Sequence, residues 1–251
     1  MSPPYPVLVK IRFESLILQE NMNYGQNSQV DATHAADIAR RLTMAHMPVA
    51  RRPAVEAVLA LDSALGQILR TTREPMIGQM RLTWWHGALS DLDDKAPPAQ
   101  PVLQGLATDA LPAGVSGAKL AAMVEGWEVL LEPDLDAPAL NRFAEERGGR
   151  LFQLLATIVA PGEGDRRGAT MAGEGWALAD LVPRLTDQLA SAKARTLAEQ
   201  RFDAAFSMRW PRRLRPLATL ALVARAALAA PDRLPGPALA FRLIRHRLTG
   251  T

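Results

Sequence analysis

Asp62 is the residue whose position in the sequence most strongly indicates chemistry, because it lies within an apolar helical stripe. Pro53 fits the first turn of a helix, and Val55, Asp62 and Leu69 then follow seven residues apart. Residues at that spacing share one helix face, so the carboxylate points where the apolar side chains point. A buried charge needs a partner or a function. Two interpretations stay open: a structural ion pair with an arginine, or the remnant of a ligand site.

Other catalytic and metal-binding groups are scarce in this chain. It has no cysteine, which excludes disulfides, a thiolate nucleophile and a cysteine-ligated metal, and which favours a reducing compartment. None of the four histidines has a second histidine three to five residues away, as a helical zinc site requires. They are His34, His46, His86 and His246. We therefore predict no metal site.

The elements that position these residues are predicted to be helices throughout. Apolar residues recur at helical spacing in every periodic segment, and no segment alternates as a strand would. A helical pattern begins near Asp31 or Thr33, either of which suits the N-cap position. The further predicted helices cover about 53–69, 76–92, 101–109, 117–132, 138–160, 171–200, 213–230 and 237–248. Within 171–200, Leu178, Leu185 and Leu189 form the apolar stripe, and Pro183 either kinks this helix or marks its true first turn.

We expect one helical domain at residues 31–251, because 251 residues suffice for a single well-formed core. Residues 1–30 lack periodicity and are predicted to be a flexible arm, with Met22 as an alternative start to Met1. The longest apolar run, from Leu217 to Ala230, is 14 residues long, shorter than the roughly 20 of a membrane-spanning helix, and is interrupted by Arg225. We predict no transmembrane segment and no secretory signal.

Positive charge is concentrated at the C-terminal end. Residues 201–251 hold ten arginines and two aspartates, a net +8, so the remaining 200 residues sum to −5. Such a basic end indicates an anionic partner, or else a solvated, salt-bridged surface. No nucleic-acid-binding motif accompanies it, so we expect no nucleic-acid partner. We predict peripheral attachment to an anionic membrane surface, with candidate lipid contacts at Arg212, Arg213, Arg215, Arg242 and Arg245.

The most distinctive string of the chain is Arg73-Glu-Pro-Met-Ile-Gly-Gln-Met-Arg-Leu-Thr-Trp-Trp85. It resembles a block of the squalene/phytoene synthase family. It is especially similar to the divergent branch that includes the phytoene synthase-related assembly factor of mitochondrial respiratory complex I. That branch has the pattern acidic-Pro-x-x-Gly-x-x-Arg-Leu-x-Trp-Trp. Weaker similarity covers about residues 35–230.

The resemblance implies the isoprenoid synthase fold, an all-α bundle around a central apolar cavity that accepts two prenyl diphosphates. Active members carry two aspartate-rich motifs on facing helices, whose paired carboxylates hold Mg²⁺ against the diphosphate. This chain departs from both motifs. Asp62 is the only acid in residues 58–72, and after Trp176 the acids Asp180 and Asp187 lie seven apart with Arg184 between them. We therefore assign no catalytic residue and no metal ligand.

Candidate ligand-binding residues come from the resembling block and from the apolar stripe before it. Trp84 and Trp85 cannot face the same way on a helix, so one is expected in the core and the other on a groove or cavity wall. Arg81 either points at a diphosphate or pairs with Asp62 or Glu74, and Asp180 is read as a surface pair with Arg184. The candidates are Asp62, Arg73, Gln79, Arg81, Trp84 and Trp85.

The resemblance and its departures together indicate a catalytically degenerate relative that binds an isoprenoid or another lipid, or that assembles a membrane complex with a protein partner. No cofactor is expected for that function. The alternative is an active prenyltransferase of isoprenoid biosynthesis that uses Mg²⁺, so whether the protein is an enzyme stays open. The expected location is the cytoplasm, either free or peripheral on the inner membrane face.

Overall fold

Helices make up all the regular structure in the part of the chain that the structure describes. The computed structural model describes residues 40–72, 74–230 and 236–251. Their regular elements are α-, 3₁₀- and π-helical, which confirms the predicted all-α class. The predicted arm at residues 1–30 and the candidate residue Arg73 lie outside the described residues.

A helical segment at residues 40–46 opens the described chain. Two longer helices follow, each opened by a proline in its first turn, where the missing N–H costs nothing. Three short helices follow, and a π-helical turn at Leu106–Ala110 extends the first of them. The helices are α1 (Arg52–Thr71), α2 (Pro75–Ser90), α3 (Pro101–Gly105), α4 (Gly117–Ala121) and α5 (Met123–Glu128).

The second half contains the helices that complete the core. A π-helical turn, Ala144–Gly149, joins the first two of them without a break. The helices are α6 (Ala137–Phe143), α7 (Arg150–Val159), α8 (Arg167–Leu181), α9 (Gln188–Ser207), α10 (Ala218–Ala229) and α11 (Pro237–Thr249). Helix α8 packs against α7, α9, α10 and the π-helical turn, and so lies at the centre of this half.

Pro183 divides the predicted helix 171–200 in two. Helix α8 ends at Leu181, a 3₁₀ turn covers Val182–Arg184, and α9 begins at Gln188. Proline lacks the N–H that would continue the helical ladder. Asp187 then caps α9, accepting a hydrogen bond from the backbone N–H of Leu189 at 2.9 Å. The prediction that Leu189 belongs to the core stripe was wrong, because the break turns it outward and leaves it exposed.

The backbones of the π-helical turn and α8 approach each other closely in the core. A Cβ atom built on Gly148 would lie 2.1 Å from the carbonyl oxygen of Gly173, and one on Gly173 would lie 2.2 Å from that of Gly148. Real side chains do not tolerate such distances, so only glycine fits at either position. This contact fixes how deeply the turn sits against α8.

Replacing Gly148 with alanine is expected to lower the free energy of unfolding by about 1–3 kcal/mol, because the added methyl group must push the two backbones apart. Urea denaturation followed by circular dichroism measures the loss. The matched control is Gly87→Ala in α2, where nothing lies within 4 Å of the added Cβ. That variant should gain up to about 1 kcal/mol from helix propensity. Equal stability of the two variants would contradict the packing described above.

Within the described ranges, none of the helices combines the length and apolar character needed to cross a bilayer.

Candidate functional site

The predicted burial of Asp62 is confirmed, and of its two interpretations the ion pair with an arginine is present. Asp62 lies in the middle of α1 and is 6% exposed, and its partner Arg147 lies in the π-helical turn and is 4% exposed. The guanidinium Nε donates to Asp62 Oδ1 and Nη2 donates to Oδ2, each at 3.0 Å. Two parallel charge-assisted bonds are the strongest arrangement available to this pair of groups.

A second carboxylate binds the same guanidinium from the other side. Nη1 of Arg147 donates to Asp180 Oδ2 of α8 at 2.8 Å, and Oδ1 of Asp180 pairs with Arg184 at 2.5 Å. We call Asp62, Arg147, Asp180 and Arg184 the ion cluster. The expected Asp180–Arg184 pair is therefore present, but the prediction that Asp180 is only a surface pair was wrong. A long arginine side chain from a third helix reaches it.

Aromatic rings enclose the guanidinium of Arg147. Its Cζ lies 4.1 Å from the ring centroid of Trp127, 4.8 Å from that of Trp176 and 5.5 Å from that of Phe143. A cation over such faces is stabilised by the ring quadrupoles, the more so where water is excluded. Glycine makes room for this enclosure, since a Cβ on Gly66 would lie 2.8 Å from Trp127 Cη2.

The charges of the ion cluster stabilise one another. Burial alone would lower the pKa of Arg147, but the neighbouring charges of Asp62 and Asp180 outweigh it and raise that pKa above its ordinary value. Burial alone would likewise raise the pKa of Asp180, but Arg184 and Arg147 lower it to about 2. Arg147 is therefore a permanent cation, and Asp180 stays ionised at any pH near neutrality.

The ion cluster already contains a cation where the resemblance implies a metal. Asp62 and Asp180 come from two helices, and a guanidinium lies between their carboxylates. Among the described residues, no group of three acidic or histidine ligands is placed to hold a metal ion. Both oxygens of Asp62 already accept hydrogen bonds from Arg147. The residues present therefore do not fit a magnesium centre.

A small cavity of about 10 Å³ adjoins the ion cluster. That volume is about what a single water molecule needs. Its lining includes Arg70, Trp127, Phe143, Arg147, Asp180 and Arg184. The larger central apolar cavity implied by the resemblance stays a prediction.

The candidates from α2 do not join the ion cluster. Arg81 donates to the hydroxyl oxygens of Thr71 at 3.2 Å and Thr72 at 3.0 Å, more than two helical turns beyond Asp62 along α1. Those contacts differ from the predicted pairing with Asp62 or Glu74. Gln79 donates to Glu128 Oε1 at 2.8 Å on the surface.

Of the two tryptophans of α2, one lies in the core as expected, whereas the other lies on the open surface and not on the expected groove or cavity wall. Trp85 is 7% exposed and Trp84 is 50% exposed, and their rings meet edge to face with centroids 5.6 Å apart. Met76 and Met80 are exposed on the same side of α2 as Trp84. This outer side of α2 is thus apolar over two turns and forms a surface rather than a cavity wall.

Arg215, one of the predicted lipid contacts, binds the protein's own backbone. Its guanidinium donates to the backbone carbonyls of Arg247 at 3.1 Å and Leu248 at 2.7 Å, and so caps the C-terminus of α11. A half-buried, engaged side chain does not suit the predicted lipid contact. The other four candidates are exposed: Arg212, Arg213, Arg242 and Arg245.

His246, a buried ionisable group outside the ion cluster, holds α11 to the domain. The imidazole is 3% exposed and stands edge-on to the rings of Phe206 and Trp210, at centroid distances of 5.5 and 5.2 Å. Neither ring nitrogen has a hydrogen-bond partner among the described residues. Burial, with smaller contributions from Arg215 and Arg245, lowers the pKa of His246 to about 4.

Comparison with known proteins connects this geometry to a family. The family model for squalene/phytoene synthase matches residues 33–193, more than half of the chain. The matched range contains all four members of the ion cluster. No curated protein and no solved structure matches the chain.

Proposed function

Because the chain belongs to the squalene/phytoene synthase family, we propose that it is a catalytically degenerate member that works by binding. In this function it binds an isoprenoid or another lipid, or it takes part in assembling a membrane complex, as the resemblance to the complex I assembly branch suggests. One observation carries the proposal: the guanidinium of Arg147 lies between Asp62 and Asp180.

An arginine at this position opposes metal-dependent ionisation of a diphosphate. Mg²⁺ needs oxygen ligands in nearly octahedral geometry, and those of Asp62 already accept from Arg147. A fixed positive charge a few ångströms away would also repel the ion in a site with little water to screen it. Moving Arg147 aside would leave a buried cation unpaired, at a cost of about 3–5 kcal/mol.

Two further observations favour assembly over storage of an apolar chain beside the ion cluster. The adjoining cavity of about 10 Å³ has no room for an isoprenoid. The outer side of α2 exposes Met76, Met80 and Trp84, and methionine and tryptophan are enriched in protein interfaces. We propose that this surface of α2 contacts the protein partner.

The alternative is a prenyltransferase of the squalene/phytoene synthase type that uses Mg²⁺ with unorthodox acids. Incubation with farnesyl or geranylgeranyl diphosphate separates the two functions, with released pyrophosphate as the readout. We expect Mg²⁺ to produce no release above a protein-free control, because the paired carboxylates that such ionisation needs are occupied. Formation of squalene or phytoene that is lost in Asp62→Ala would establish the alternative.

The binding function has its own test, which does not depend on turnover. Native mass spectrometry of the purified full-length protein should detect an isoprenoid, another lipid or a protein partner that remains bound. The matched variant is Met80→Asp, which places a charge on the outer side of α2 without touching the core. A bound protein partner should be lost in that variant, and retention of the partner would overturn the assignment of α2.

A further inference from the structure

Helix α11 has two apolar sides, of which only one packs against the domain. The helix packs against α10 and the turn that precedes it, and Leu239 and His246 are buried there, with Leu243 partly buried. On the other side, Phe241 is 67% exposed, Ile244 59% and Leu248 73%. Large apolar side chains at such exposure, grouped on one helix, mark a surface that is covered in use.

Helical geometry places these two groups on opposite sides. Each residue advances about 100° around the axis. Phe241, Ile244 and Leu248 therefore fall within about 60° of one another, and the packed residues lie roughly opposite. Thus α11 carries an exposed apolar stripe from Phe241 to Leu248.

Positive charge borders this stripe on both flanks. Arg242 and Arg245 follow one edge and Arg247 follows the other, and all three are exposed. Residues 236–251 contain no acidic residue. Arg212 and Arg213 add charge near the C-terminal end of α11, because Trp210 N–H donates to the Gly250 carbonyl at 2.9 Å.

We propose that the exposed stripe of α11, formed by Phe241, Ile244 and Leu248, inserts into the interfacial layer of an anionic lipid bilayer. The helix would lie parallel to the membrane, with its apolar stripe among the upper acyl chains and its arginines at the level of the headgroups. Charge complementarity selects this occupant. A purely apolar protein surface would leave the flanking arginines without counter-charges, whereas an anionic leaflet supplies them on both flanks.

The packing of α11 supplies the rigidity that docking needs. His246 and the Arg215 cap hold the opposite side and the C-terminal end, so the exposed stripe is presented in helical form before any contact. Preorganisation removes the cost of folding the helix at the surface. This inference goes beyond the proposed function and stands or fails separately from it.

Co-sedimentation of the full-length protein with extruded vesicles tests the inference. One set of vesicles is phosphatidylcholine alone, and the other contains about a third phosphatidylserine. We expect binding to the anionic vesicles only, weakened at least tenfold when salt is raised to about 0.5 M, because the headgroup attraction is screened. Binding to both vesicle types alike, or to neither, would overturn the inference.

Variants on the exposed side of α11 locate the contact without disturbing the core. Phe241→Ser combined with Ile244→Ser should weaken anionic-vesicle binding by at least about tenfold. Leu189→Ser, an equally exposed apolar residue on α9, should bind as the parent protein does. Arg245→Gln should weaken binding severalfold, whereas Arg167→Gln on α8 should not.

Two further outcomes would contradict lipid binding by the exposed stripe of α11. If the Phe241→Ser, Ile244→Ser variant binds vesicles as the parent does, the stripe is not the contact. If the parent self-associates in light scattering and this variant does not, the stripe pairs two copies of the chain. Unchanged circular dichroism and thermal unfolding of the variant confirm that its fold is intact.

Discussion

Arg147→Ala is expected to lower the free energy of unfolding by about 3–5 kcal/mol, the usual cost of removing one partner of a buried ion pair. The variant leaves Asp62, 6% exposed, without either of its charge-assisted hydrogen bonds. It also removes the cation enclosed by Trp127 and Trp176, which opens a cavity at the junction of three helices. Urea denaturation followed by tryptophan fluorescence measures the loss.

Arg142→Ala is the matched control for this experiment. Arg142 also pairs with a carboxylate, that of Glu132, but the two side chains are 49% and 40% exposed. Such a surface pair contributes about 0–1 kcal/mol. If the two arginine variants proved equally stable, burial would not be what makes the Arg147 contacts important. Arg147→Lys should fall between them, because an ammonium group cannot donate to both carboxylates in the same plane.

Acidification from pH 7 to pH 4 is expected to destabilise the protein by up to about 3 kcal/mol through His246 alone. Its folded pKa of about 4 lies below the ordinary value of 6.5. Between those values the unfolded chain binds more protons than the folded one. The stabilisation is therefore fully present above pH 6.5, falls as the pH drops and is exhausted near pH 4.

His246→Phe isolates this effect, since phenylalanine suits the aromatic surroundings of Phe206 and Trp210 and does not titrate. Melting temperatures of both proteins between pH 4 and 7 give the comparison. His46, whose pKa burial and Arg247 also lower, contributes in the same direction to both proteins and cancels in their difference. Asp180 contributes to the pH dependence of stability only below its ordinary pKa of 3.8. If the melting temperatures of the two proteins fell in parallel as the pH dropped, His246 would be excluded as the source of the pH dependence.

Helical spacing predicted much of α1, including the burial of Asp62, because a seven-residue repeat fixes the face on which a side chain lies. It did not predict the partner. Arg147 is 85 residues away along the chain, and it lies in a π-helical turn that no spacing rule anticipates. The adjacent Gly148 was the available signal, since glycine within a helix often marks close packing.

Leu189 and α11 show the second limit of sequence reasoning. Leu189 continued the apolar stripe of α8 in the sequence, but Pro183 ended that helix and the register began again at Asp187. Helix α11 is apolar on two sides, so periodicity alone could not tell which side packs. Tertiary contacts, here those of His246 and Arg215, decide such cases.

The ion cluster depends on the helical phase that the π-helical turn Ala144–Gly149 gives to Arg147. Such a turn accommodates about one residue more than an α-helical turn, so α6 and α7 are rotated against each other by roughly 100° although their axis is continuous. Loss of a single residue from this segment would restore ordinary winding and turn the position of Arg147 away from Asp62 and Asp180. The two carboxylates would then lack the guanidinium that lies between them, and Asp180 would keep only Arg184 as its partner. Whether a guanidinium lies between Asp62 and Asp180 thus depends on the length of the π-helical turn, to within one residue, and not on either aspartate.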